Sequence, residues 1–250
     1  MHDDLGCAVP VPAVVRRVVS IVPSLTESVA VTAPGLLVGA TDWCSHPGDL
    51  DVTRVRGTKN PAVDRILALE PDLVLANAEE NRAEDLDALR AAGLAVWVTY
   101  PRTVPEALDS LGRLLTACRL DRPFWLEEAA AAWAEPFTGV RRRAIIPIWR
   151  RPWMAVGSGT FTGDLLARLG IDNVLADHEE RYPKIDPTKL PEHDLVVLPD
   201  EPYLFTTTDG PEAFAAPSLC VSGRFLTWYG PSLVEAHAVL RRQLMTSAGS

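Results

Sequence analysis

The sequence is poor in the residues that build metal centres, membrane spans and basic surfaces. Its 250 residues include only 4 cysteines and 5 histidines. The nearest cysteines, Cys7 and Cys44, stand 37 positions apart, so the close pairs of a zinc finger are absent. A chain of this length folds without staples, and the four thiols read as scattered apolar side chains. No apolar run approaches the roughly 18 residues of a membrane helix, which excludes insertion into a bilayer by that route. Positive charge is also short: 24 Lys and Arg face 33 Asp and Glu, a formal net charge of −9. Such a surface repels nucleic acid and anionic lipid, so a bound anion must meet a local basic patch. Phosphate loop, nucleophile elbow, paired-histidine metal motif and kinase signatures are all missing, and catalysis is not expected.

What is present is an ordinary globular balance of 47 % apolar and 23 % charged residues. The start, Met1 to Cys7, is acidic and carries no basic leader region. The next apolar patch, Ala8 to Val15, is short, broken by Pro10 and Pro12, and runs into Arg16 and Arg17. These features predict neither a secretory nor a lipoprotein leader, and the expected location is cytoplasmic.

Short apolar runs alternate with amphipathic stretches, which predicts an α/β fold. Val18–Val22 reads as a buried strand ended by Pro23, and Ser24-Leu25-Thr26-Glu27 as a capping box opening a helix. Further strands are expected at Gly35–Ala40, Asp72–Ala76 and Leu94–Thr99. Helices are expected at Val63–Leu69 and at Asn81–Ala92, the latter closed by Gly93. Thr103–Ala134 reads as mostly helical, with a restart at Asp121-Arg122-Pro123. The pattern then begins again: a strand at Arg143–Trp149, a helix at Gly163–Leu169 capped by Gly170, a strand at Leu219–Val221 and a helix at Ser232–Met245. Glu192 to Pro202 echoes Glu70 to Glu80, each an Asp, an apolar strand and an acidic loop. The expectation is two lobes, residues 14–102 and 136–246, each a mostly parallel sheet flanked by helices. A connecting segment, 103–135, joins them with a long inter-lobe helix.

Several stretches carry a resemblance. They are Val18 to Glu27, Arg56-Gly57-Thr58-Lys59-Asn60-Pro61 with Asp64 to Val74, Leu198 to Tyr203, and Trp228-Tyr229-Gly230-Pro231. Over residues 16 to 242 the chain resembles the class III substrate-binding proteins. These are the vitamin B12-binding and iron–siderophore-binding proteins of bacterial importers, also called helical backbone metal receptors. The resemblance implies a ligand of the cobalamin or ferric-chelate type held in a cleft between the lobes, and no catalytic cofactor. It also implies an importer permease as partner, docked through one acidic residue per lobe. Here Asp64 stands where Glu is common on the first lobe, and Thr227 replaces the second carboxylate. The resembled proteins are usually exported.

In open α/β sheets ligands gather beyond the carboxyl ends of the strands. The first-lobe loops that leave those ends carry Trp43, Lys59, Asn60, Glu79, Glu80, Tyr100 and Arg102. The second lobe offers Trp149, Arg150, Arg151, Trp153, Arg181, Tyr182, Glu201, Tyr203, Phe205, Trp228 and Tyr229. Four of the seven tryptophans fall in these loops, where indole and phenol rings supply rigid contact area and guanidinium groups supply forked donors. Four unpartnered arginines would be costly to bury. Either the ligand is anionic, or Glu79, Glu80 and Glu201 pair with some of Arg102, Arg150, Arg151 and Arg181. Two other readings remain open: a small-molecule enzyme or biosynthetic accessory protein on the same scaffold, and direct binding of a free metal ion by His and carboxylates. Gly157 to Gly163 lacks the phosphate-loop lysine and reads as a turn ending in a threonine cap.

Overall fold

The computed structural model describes residues 1–245. The chain divides into two compact units. The first comprises Met1–Pro101, Ala107–Glu127 and Tyr229–Pro231, and the second comprises Arg102–Glu106, Glu128–Trp228 and the residues from Ser232 onward. Residue 246, the last of the expected second lobe, lies outside the described residues.

In the first unit the chain runs through β1 (Val18–Ser20), α1 (Pro23–Thr32), β2 (Leu37–Ala40) and β3 (Thr53–Arg54). A small antiparallel hairpin follows, β4 (Arg56–Gly57) with β5 (Asn60–Pro61). Then come α2 (Val63–Ala68), β6 (Leu73–Asn77), α3 (Ala83–Ala91) and β7 (Val96–Thr99). The sheet order is β3-β2-β1-β6-β7, and every pairing is parallel. All five residues of β6 are buried, as expected of a parallel strand covered on both faces. Val19, Ile21, Val74, Ala76, Val96 and Val98 pack with Ile66 of α2 and Leu86 and Leu89 of α3 into one core.

The expected connecting segment, 103–135, contains two helices, α4 (Val104–Ala117) and α5 (Phe124–Ala132). Arg119 breaks the run by adopting a positive φ of 62°, and the restart falls where Pro123 permits it. On α4 the residues Ala107, Leu111, Leu114 and Leu115 form a buried stripe.

The second unit repeats the plan. It contains β8 (Arg142–Ile145), the antiparallel hairpin β9 (Pro147–Trp149) and β10 (Met154–Ala155), α6 (Phe161–Arg168), β11 (Ile171–Asn173), β12 (Leu195–Pro199), β13 (Ser218–Val221), α7 (Gly223–Thr227) and α8 (Leu233–Met245). Its sheet order is β11-β8-β12-β13, again all parallel. That order matches β2-β1-β6-β7 strand for strand.

The repeat extends to hydrogen bonds. Asp72 Oδ2 accepts from the backbone N–H groups of Arg16 (2.7 Å) and Arg17 (2.9 Å), just before β1. Asp194 Oδ2 accepts from Arg143 N–H at 2.8 Å in β8. In both units an aspartate ahead of the buried strand satisfies donors on the neighbouring one.

Two local expectations resolve differently. The strand ahead of α1 remains extended through Val22, which takes the N-cap position with Pro23 following. Ser24 and Glu27 therefore lie inside the helix and form no capping box. At α6 the cap does form: Thr160 Oγ1 accepts from Gly163 N–H at 3.2 Å. Gly93 and Gly170 close their helices with φ of 86° and 82°, as expected of glycine at that position.

Candidate functional site: the loops at the carboxyl ends of the two sheets

In the first unit, the β4–β5 hairpin gathers the predicted residues. A Cβ at Gly57 would lie 2.5 Å from Asn60 Oδ1 and 3.2 Å from Trp43 Nε1, so only glycine lets Trp43 and Asn60 approach the turn. Trp43 is 68 % exposed, and Lys59 Nζ donates to the Glu79 carbonyl. Asn77, at the end of β6, turns the next loop: its Oδ1 accepts from Glu79 N–H (2.7 Å) and Glu80 N–H (3.1 Å). Asn81 fastens that loop to its neighbours, donating to the carbonyls of Ile21 (3.2 Å) and Thr58 (2.9 Å). Trp43, Lys59, Asn60, Glu79 and Glu80 thus occupy one rim.

Tyr229 is buried behind it. Its hydroxyl accepts from Asn77 Nδ2 at 2.7 Å and lies 2.8 Å from Thr99 Oγ1. Burial and the nearby Glu80 charge raise its pKa, so it stays protonated. Gly230 follows because a Cβ there would stand 2.8 Å from Ser28 Oγ and 3.0 Å from Ser24 O. Tyr100 closes β7, where its N–H donates to Asp4 Oδ2 at 2.7 Å. Cys44 is no ligand candidate on its surroundings: its thiol is buried against Thr26 Oγ1 (3.0 Å) and Thr41 Oγ1 (3.1 Å), and burial pushes its pKa up.

In the second unit, the β9–β10 turn meets the 201–214 loop as an aromatic cluster. Trp153 stacks on Phe205 (centroids 5.7 Å, planes 4° apart) and meets Phe214 edge-on at 5.2 Å. Tyr203 lies 4.7 Å from Phe205, and Trp149 stands edge-on to Tyr203 at 5.8 Å. Phe205 is buried on Val196 and Leu198 of β12, whereas Trp149 is 42 % exposed and Leu204 67 % exposed.

Arg150 pairs with Asp209 and Glu212, and its guanidinium sits 5.2 Å from the Trp153 ring. Neither carboxylate stood out in the sequence, because they are supplied from a loop 59 and 62 positions further on. Arg151 is exposed with φ of 75°.

Glu201, Arg224 and Trp228 form a second group. Partial desolvation raises the Glu201 pKa and Asp200 adds to it, against a hydrogen bond from Trp228 and the Arg224 charge. Arg224 lies over the Trp228 ring at 5.6 Å. Arg181 and Tyr182 belong to a segment bonded to the β10 region, where Gly157 N–H donates to Arg181 O at 2.7 Å. Tyr182 borders an open pocket with Met154, His178, Glu179, Glu180 and Lys184. Arg102 is exposed, and its N–H donates to Glu106 Oε2 at 2.7 Å. Among the described residues no group of three or more His, Cys, Asp or Glu side chains is placed to hold a metal ion.

No protein-family model matches the chain. The vitamin B12-binding protein of Vibrio cholerae serotype O1 is 24 % identical over 188 residues, 71 % of this chain and 67 % of that protein. Among solved structures, the periplasmic vitamin B12 binding protein BtuF of Vibrio cholerae superposes with a TM-score of 0.73 at 18 % identity, covering 94 % of this chain and 99 % of that one. The periplasmic heme-binding protein RhuT of Roseiflexus sp. RS-1 does so with a TM-score of 0.72 at 17 % identity, covering 94 % and 100 %. The resemblance read from the sequence is borne out: the fold is that of the class III substrate-binding proteins. Within that class, the sequence likeness is to the vitamin B12-binding proteins.

One expectation is corrected. The cytoplasmic location does not stand, because the structural relatives are periplasmic binding proteins, which are exported. That expectation rests on the acidic start without a basic region and on the short, proline-broken patch Ala8 to Val15, and the acidic residues make contacts within the fold. Asp4 N–H donates to Val98 O (3.1 Å) on the edge strand β7, and Asp3 Oδ1 accepts from Leu5 and Cys7 N–H at 3.0 and 2.9 Å.

Proposed function

We propose that this chain binds a metal-chelate or corrinoid-like small molecule, of the cobalamin or ferric-siderophore type, and holds it without chemical change for uptake. The observation that carries the reading is the recurrence, in both units, of a parallel sheet with exposed aromatic and polar side chains at its carboxyl ends. Trp43, Lys59 and Asn60 serve this role in the first unit, and Trp149 and Glu201 in the second, with the half-buried Tyr203 beside Trp149. Rigid rings supply contact area at little entropic cost, and the surrounding donors fix orientation. The proteins it resembles are vitamin B12-binding and heme-binding proteins, which favours binding over catalysis.

The same likeness favours an exported receptor that hands its ligand to an importer permease. Docking would lean on Asp64, exposed in the first turn of α2. Thr227 offers no charge, and its hydroxyl donates to Gly223 O at 2.9 Å within α7.

Tryptophan emission tests the reading. Cobalamin or a ferric chelate should quench it saturably with one site per chain and a Kd of about 1 µM or tighter. Absence of saturable quenching by cobalamin, heme and ferric chelates alike would overturn it.

A further inference from the structure

The aromatic cluster of the second unit carries a charge arrangement that bears on which ligands it accepts. Arg150 is the guanidinium nearest the rings, 5.2 Å from Trp153, and it is held between two carboxylates. Asp209 takes Nη1, and Glu212 Oε1 lies 2.5 Å from Nη2. Asp209 is fixed in turn by the Tyr203 hydroxyl, which donates to its Oδ2 at 2.7 Å. Gly210 N–H donates to Glu212 Oε2 at 2.7 Å. These bonds tie the platform's one half-buried cation to the loop that carries Tyr203, Leu204 and Phe205.

We infer that the Asp209–Arg150–Glu212 clamp sets ligand specificity by charge: it gives the Trp149–Tyr203 platform a planar chelate with an uncharged periphery and rejects anionic ones. This inference rests on the functional reading above. A guanidinium engaged by two carboxylates has its forked donors occupied. An incoming carboxylate or catecholate would have to displace one of them or sit against both, and like charges at that range repel. With Arg151, exposed on the same turn, the charges of Arg150, Arg151, Asp209 and Glu212 sum to zero rather than to a net positive value. The exposed contact surface is then the Trp149 ring and the Leu204 side chain, which suit the flat or apolar edge of a neutral chelate. Discrimination of this kind works through a repulsive element as much as an attractive one. The sequence alternative in which these arginines await an anionic ligand does not hold for Arg150.

Competition titrations read by tryptophan emission test the clamp, with cyanocobalamin as the neutral probe and a ferric tris-catecholate as the anionic one. The unaltered chain should prefer cyanocobalamin by about tenfold or more. The double variant Asp209→Asn/Glu212→Gln frees Arg150 and should narrow that ratio by about tenfold, chiefly by gaining affinity for the tris-catecholate. Arg150→Met, which removes the guanidinium between the two carboxylates, should widen it, and it keeps the test available if the double variant fails to fold. A preference of the unaltered chain for the tris-catecholate would overturn the inference while leaving the functional reading intact, and so would a ratio unmoved by the variants. A chain that binds neither probe, nor heme, overturns the functional reading and the clamp with it.

Discussion

Single side chains show where local reading succeeds and where it stops. Trp43 and Trp149 were legible as site candidates because a large aromatic just past a strand end is out of place in a core, and both are exposed. Phe205 reads the same way in sequence, yet it packs on β12 as support for its neighbours. The partners of Arg150 were not legible, since nothing local says which acidic loop returns to meet it. Glu201 yields a prediction at this scale. Desolvation raises its folded pKa above the ordinary glutamate value. Its protonated form is therefore favoured by folding. The stability it contributes is present below the unfolded pKa and is lost as pH rises through the folded one. Thermal melts between pH 4 and pH 7 should show Glu201→Gln losing less stability across that window than the unaltered chain. An identical pH dependence would contradict the assignment.

Among elements, the long buried strands were the readiest to read. β6 and β12 are continuous apolar runs, and a run buried on both faces announces a parallel sheet. The glycine-closed ends of α3 and α6 were equally plain. The two short hairpins escaped notice, because strands of two or three residues leave no periodicity. The failed capping box at Ser24 has a positional cause: Pro23 fits the first helical position, which moves the cap to Val22, two residues ahead of the serine. The N-terminal strap along β7 was hidden too, since its contacts span some 95 positions. The duplicated aspartates invite a paired test. Asp72→Ala removes the acceptor of two backbone N–H groups and Asp194→Ala that of one, and each should cost about 1–2 kcal/mol in urea unfolding. Asparagine should recover part of that loss at both sites. Loss at one site only would argue against an equivalent role in the two units.

At the scale of the whole molecule, fold class was the most legible property and cellular address the least. Two repeats of strand, loop and helix announce themselves through burial, which composition reports directly. An address is read by other machinery, and the acidic residues before Cys7 serve the edge of a sheet. Ligand identity lies between these extremes, because the loops supply chemistry but the sequence does not state how it is spent. The central claim is retention of a metal-bearing small molecule without turnover. Equilibrium dialysis against cyanocobalamin, followed by mass analysis of the released ligand, tests it most directly. One equivalent should be retained per chain and recovered with its mass unchanged. Recovery of a chemically altered molecule, or no retention of cyanocobalamin or any ferric chelate offered in its place, would contradict it.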